Sequence, residues 1–139
     1  MANIMTNELE NVIVEAIKRL DIEMFKEFSG HVTNYKNSKK LYFYEDLEVV
    51  FNKLRNSGDT ELEPHFGHCG KCSTDQHGYL FVGNNSRNYF NILFDEDINS
   101  IIDIVECSDF KVKNKIINLK ERIYINHYND PKGDDYVPF

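Results

Sequence analysis

Apolar residues recur at helical spacing through the first forty percent of the chain and at strand spacing beyond it. Leu9, Val12, Ile13, Ala16, Ile17 and Leu20 form one stripe at intervals of three and four, the signature of an amphipathic helix. Asn7 precedes the stripe and Glu10 follows three residues later, the arrangement of a capping box. Asp21 comes directly after Leu20 and predicts the cap of a short second helix. That helix carries Ile22, Phe25 and Phe28 on one side and ends at Ser29-Gly30. Val32 and Tyr35 mark a possible strand start in an ambiguous stretch, 31–41, of which 34–40 is polar. Leu41-Tyr42-Phe43 leads into a third helix with Leu47, Val50, Phe51 and Leu54 on its buried stripe, stopped by Ser57-Gly58.

After Gly58 the period shortens toward two. A strand is expected over 60–66, with Pro64 confining it to an edge or an end. Residues 78–83 and 88–94 read as a hairpin around the turn-forming Asn84-Asn85-Ser86-Arg87. Asp95-Glu96-Asp97 reads as the next turn, a solvated one in preference to a Ca²⁺ or Mg²⁺ site, which would need more oxygens. Residues 98–107 are apolar on both faces and predict a central strand. Residues 116–119 and 122–128 predict one more, and 129–139 a C-terminal tail. The expected fold class is α+β: three N-terminal helices on a curved antiparallel sheet of four to six strands, in a single domain spanning 1–139.

This order of elements resembles the NTF2-like family. The resemblance is carried by the stripe from Leu9 to Leu20, the step Leu20-Asp21-x-x-x-Phe25, the helix around Leu47 to Leu54, and the strands at 78–83, 88–94 and 98–107. It covers about residues 7–128 as topology. It implies a sheet curled into a cone that the helices close over a cavity. It implies no particular chemistry, because the family hosts enzymes, transport factors and binding domains.

Composition narrows the partners. The formal net charge is −7 with a pI of about 5.2, so the average surface repels a polyanion and nucleic acid is not expected. No apolar run approaches the length of a membrane span, and the first residues lack the basic region of a secretory signal. The expectation is a cytoplasmic protein whose partners are another protein, a small apolar ligand or a second copy of itself. Ten Phe and eight Tyr, with no Trp, predict an aromatic core or pocket; Tyr79, Phe81, Tyr89, Phe90 and Phe94 concentrate on the hairpin.

The densest chemistry lies in 65–77, which holds three of the five histidines and two of the three cysteines. Cys69 and Cys72 have the two-residue gap that turns both thiolates toward one ion, and His65, His68 and His77 flank them. The candidate ligand set for Zn²⁺ is Cys69, Cys72, His77 and one of His65 or His68, a closed structural site in a non-enzymatic domain. Cys107 is set aside as a buried thiol, because ten residues of strand at about 3.3 Å each would carry it roughly 30 Å away. Two alternatives stand beside this one. In the first, the loop is polar and incidental, and the protein is an NTF2-like binding domain or enzyme with an aromatic cavity, where Asp103 is the candidate acid or base if it points inward. Glu106 follows the same logic more weakly, and His127 is expected on the surface. In the second, Cys69-Gly70-Lys71-Cys72 is a thiol redox tetrapeptide.

Overall fold

The computed structural model describes residues 2–29, 33–35, 40–70, 77–96, 102–105, 110–116 and 118–125. Three helices and six strands follow in the order α1 (Ala2–Lys18), α2 (Ile22–Ser29), β1 (Thr33–Tyr35), α3 (Lys40–Asn56), β2 (Leu62–Cys69), β3 (His77–Gly83), β4 (Tyr89–Glu96), β5 (Ile102–Val105) and β6 (Phe110–Val112). The α+β class expected from periodicity is the one observed. None of the described helices is long and apolar enough to cross a membrane.

The helices follow their stripes. Ile13, Ala16, Ile17 and Leu20 of the first, Ile22 and Phe25 of the second, and Leu47, Val50, Phe51 and Leu54 of the third are all buried in one core. Asp21 caps α2, its carboxylate accepting the Met24 N–H at 3.0 Å. Leu20 ends the preceding turn at φ 56, a conformation that costs a branched residue energy. Burial of its side chain and a hydrogen bond from the Arg55 guanidinium to its carbonyl hold it there. At the start of α1 the expectation fails. The helix begins at Ala2, so Asn7 lies inside it and the Asn7–Glu10 capping box does not form.

The sheet has the order β1-β5-β4-β3-β2-β6. The pairs from β2 through β5 are antiparallel, β6 is antiparallel to β2, and β1 lies parallel to β5. The sheet is therefore mixed at one edge, where an antiparallel one was expected. Five Cα steps, at most about 19 Å of chain, join Val105 to Phe110. They cross four inter-strand gaps that would measure about 19 Å if laid flat. The sheet curls into a half-barrel, which lets β6 close on β2. Phe81, Phe90, Ile92, Phe94 and Ile104 point to the helices and join the core, with Phe81 and Phe90 stacked at 5.4 Å. The opposite face is also covered at its centre, where Leu80, Val82 and Leu93 are buried.

Several boundaries differ from the periodicity. β2 runs on to Cys69, so His68 and Cys69 belong to a strand rather than a loop, while His65 lies in the strand as expected. Among the described residues Pro64 stands where β2 pairs only with β3, since β6 covers Gly67 to Cys69; the edge position expected of a proline is the one found. Asp95 and Glu96 extend β4 and are not a turn, and Asp97 lies outside the described residues. Of the strand expected over 98–107 the described residues show Ile102–Val105, between β1 and β4; 98–101, 106 and 107 lie outside them. A strand over 122–128 is replaced by one parallel bridge between Arg122 and Tyr89 among the described residues. β6, short and half polar, carries too weak a pattern to be read from sequence.

Candidate functional site

The β2–β3 pairing determines which members of the 65–77 cluster share a face. The register sets His68 opposite His77, Gly67 opposite Gly78, Phe66 opposite Tyr79 and His65 opposite Leu80. Cross-strand partners point to the same side and alternate along the strand. His68 and His77 therefore share the helix-facing side, while His65 projects from the other. There His65 meets Glu63 at 3.4 Å, and Arg87 donates to Glu63 at 3.0 Å. The Arg87 hydrogen bond holds the Glu63 carboxyl below its ordinary range against the opposing effect of burial. Alternation thus puts His68, and not His65, on the face that carries His77.

Cys69 ends β2 next to His68, and its backbone pairs with Phe110. Its side chain and the whole of Cys72 lie outside the described residues. Among the described residues no three His, Cys, Asp or Glu side chains converge on one point. Cys107 also lies outside, but the reason for setting it aside does not survive. The 30 Å separation assumed one unbroken strand over 98–107, whereas Phe110, three residues after Cys107, pairs with Cys69. The backbone of Asp103 lies in β5, opposite Asp95 and beside Asn34. Its side chain, and all of Glu106 and His127, are outside the described residues.

The structure adds a residue that local reading assigned elsewhere. Glu10 of α1 is only 7% exposed, and its carboxylate accepts a hydrogen bond from His77 Nε2 at 2.6 Å. The imidazole is walled by aromatic rings, with Phe66 stacked on it at 5.9 Å and Phe94 tilted against it at 5.9 Å. Tyr79 completes the group, edge-on to Phe66 at 5.6 Å. Burial, and after it the negative charge of Glu10, raises the Tyr79 phenol above its ordinary value. One signal for Glu10 was present in the sequence: it lies three residues before Ile13 and seven before Ile17, on the buried stripe itself. A carboxylate in that row needs a partner inside.

The coupling is open to measurement. A raised phenol favours the folded state below the unfolded pKa of about 10, and that contribution is lost as pH rises through the folded value. Glu10→Gln removes the smaller of the two causes, so Tyr79 in that variant should ionise at lower pH than in the wild type while remaining above a free tyrosine. Phenolate absorbance against pH, with a Tyr79→Phe reference, reads this; identical titrations would show that the Glu10 charge does not reach the ring.

The site thus comprises His68 and the Glu10–His77 pair at one end of the β2–β3 hairpin, with Cys69 at its rim and aromatic walls behind. No protein-family model matches the chain, and neither a curated protein nor a solved structure matches it.

Proposed function

We propose that the chain is a non-enzymatic α+β domain whose 65–77 segment binds one structural Zn²⁺ through Cys69, Cys72, His68 and His77, and that it serves ligand or protein binding. The observation that carries this reading is the register of β2 against β3. It pairs His68 with His77 on one face, with Cys69 the next residue along and Cys72 three further on. Two imidazoles and two thiolates are the donor set of a closed tetrahedral zinc site. Structural zinc contributes an apparent 10–16 kcal/mol in peptides that have no core, by the typical scale of such sites; here the hydrophobic core folds most of the chain, and the ion's task is to tie down the 70–76 connection. Thiolate ligands need a reducing compartment, which accords with a cytoplasmic location. The finer fold reading, an NTF2-like cone, belongs to the same proposal. Its support is the curled, largely antiparallel sheet, whose strands β2 to β6 follow three helices, with β1 between the second and third.

The test is elemental analysis of protein purified without added metal. One zinc per chain is expected in the wild type, and none in Cys69→Ser/Cys72→Ser. A metal-free wild type that also takes up no zinc on titration would end this reading.

One observation favours a second. A buried carboxylate bonded to an imidazole beside a tyrosine is also the arrangement of an acid–base pair acting on a small ligand in an NTF2-like cavity. Retained binding of a small apolar ligand by metal-free protein, lost in His77→Ala, would favour it. The thiol redox alternative has less support. Cys69 closes a strand and does not stand at a helix N-terminus, where a thiol's pKa falls.

A further inference from the structure

The chain is acidic, yet its basic residues are not spread evenly. Residues 111–122 hold Lys111, Lys113, Lys115, Lys120 and Arg122 against the single acid Glu121. That is a formal +4 within a chain of −7, so the other 127 residues carry −11. All four lysines are exposed. Two hydrogen bonds lay this segment along the sheet: the Lys113 N–H donates to the Phe66 carbonyl and the Lys120 N–H to the Arg87 carbonyl, each at 2.9 Å. The first bond is to β2. The second is to the β3–β4 turn, beside which Gly83 pairs with Leu62. Leu62 lies four residues from Phe66, about 13 Å along β2. The lysines therefore form a strip along the β2 side of the sheet. Lys111 stands opposite His68, and Lys113 continues the ladder opposite Phe66, so both share a face with Phe66. Phe66 is 46% exposed in the midst of this charge.

Lysines at a sheet edge commonly serve only to discourage strand pairing. That accounts for Lys111 and Lys113, in β6 and next to it. It does not account for Lys115 and Lys120, which lie past the strand, nor for a large aromatic ring left in water among them. An exposed aromatic anchor with a charged rim is the anatomy of an interface. Resting on the protein-binding part of the reading above and making no use of the metal, we propose that this strip binds an acidic segment of another protein. The segment lies extended, with carboxylates at alternate positions and an apolar side chain that covers Phe66. The spacing gives this form: Lys111 and Lys113 are two strand residues apart, about 6.6 Å, the repeat of alternate side chains in an extended peptide. The charge balance gives the class. A nucleic-acid duplex or an anionic bilayer extends beyond the strip and meets the −11 of the remaining chain, whereas a short acidic segment covers the strip alone. Each lysine ammonium has three donors, so contacts it makes within the chain leave capacity for an incoming carboxylate.

The probe is a short blocked peptide in which glutamate alternates with threonine around one central leucine, titrated into the ¹⁵N-labelled full chain. Saturable amide shifts confined to 66–68 and 110–122 are expected, with an affinity that falls several-fold between about 50 mM and about 200 mM salt. Lys113→Glu/Lys115→Glu alters two exposed side chains and should bind about ten-fold more weakly. A glutamine version of the peptide reads the charge without altering the chain and should not bind; serine in place of its leucine should weaken binding. No shift, shifts elsewhere, or equal affinity of wild type and double variant overturns the proposal. A single-stranded oligonucleotide or a phosphatidylserine vesicle held more tightly than the peptide also overturns it. So does self-association of the chain that the double variant abolishes, since the occupant is then a second copy. The titration is made on metal-free and zinc-loaded protein alike: failure of the peptide on both leaves the zinc site standing, and a chain that takes up no zinc but binds the peptide leaves the strip standing.

Discussion

Gly78→Ala is expected to destabilise the chain by about 3 kcal/mol, the upper range for forcing a methyl group into filled space. Gly78 lies inside β3, between Gly67 of β2 and Leu93 of β4. Its φ is not in the left-handed region, so conformational freedom is not the reason for glycine here; room is. A Cβ at this position would overlap the Ile92 carbonyl oxygen and come within 2.8 Å of the Leu93 Cα. Both obstacles are main chain of β4, buried on both faces from Phe90 to Phe94. No rotamer change relieves such a clash; β3 and β4 must separate. The strain falls between His77 and Tyr79, so the variant should also disturb the imidazole signals of His77. Denaturant unfolding measures the first effect. Gly67→Ala is the useful comparison, because its Cβ meets the Lys111 carbonyl and the Phe110 ring of the short edge strand β6. That strand can move away, so the loss should be smaller. Equal stability of Gly78→Ala and wild type would show that the β3–β4 packing is looser than described.

Asp59→Ala should cost a comparable amount, about 3 kcal/mol, from hydrogen bonds to a buried charged acceptor. Asp59 is 3% exposed and follows the end of α3. Its Oδ1 accepts the N–H groups of Asn85 and Ser86, each at 2.7 Å, and its Oδ2 accepts the Ser86 hydroxyl at 2.6 Å. One carboxylate thus anchors the β3–β4 turn to the C-terminus of the third helix. Alanine would leave two main-chain donors of a part-buried turn without their acceptor, and the loss of these charge-assisted bonds is the larger part of the expected effect. Asp59→Asn retains a carbonyl oxygen for those donors and should lose only about 1 kcal/mol. Unfolding midpoints of the two variants give the comparison, and an Asn variant as unstable as the Ala one would mean that charge matters more here than hydrogen bonding. The carboxylate also explains Gly83, where an added Cβ would run into it.

The same two regions show where local reading stops. Asn84 to Arg87 announces a turn by composition alone, but Asp59 lies more than twenty residues away and nothing near it in sequence marks it as the anchor. Cys69-x-x-Cys72 with nearby histidines announces a cluster, because ligand spacing is a local property. Which histidine shares a face with His77 is not local. It depends on parity along β2, hence on the register against β3, and a shift of one residue would exchange His65 for His68. Glu10 sits within a legible pattern, yet with Asn7 it also fits a cap, because helix ends are weakly marked when the chain continues helical before them.

Three helices, their buried stripes, the α2 cap at Asp21, the edge position of Pro64 and the β3–β4 hairpin were determined by the order of residues alone, since each rests on contacts within a few positions of the chain. The pairing of β1 with β5, the return of β6 to Cys69, the bond from Glu10 to His77 and the face shared by His68 and His77 were decided only by tertiary structure. Each of these joins distant segments through the curl of the sheet and the docking of helices on it. Such contacts depend on three-dimensional closure and packing, for which a linear pattern of polar and apolar residues carries no register.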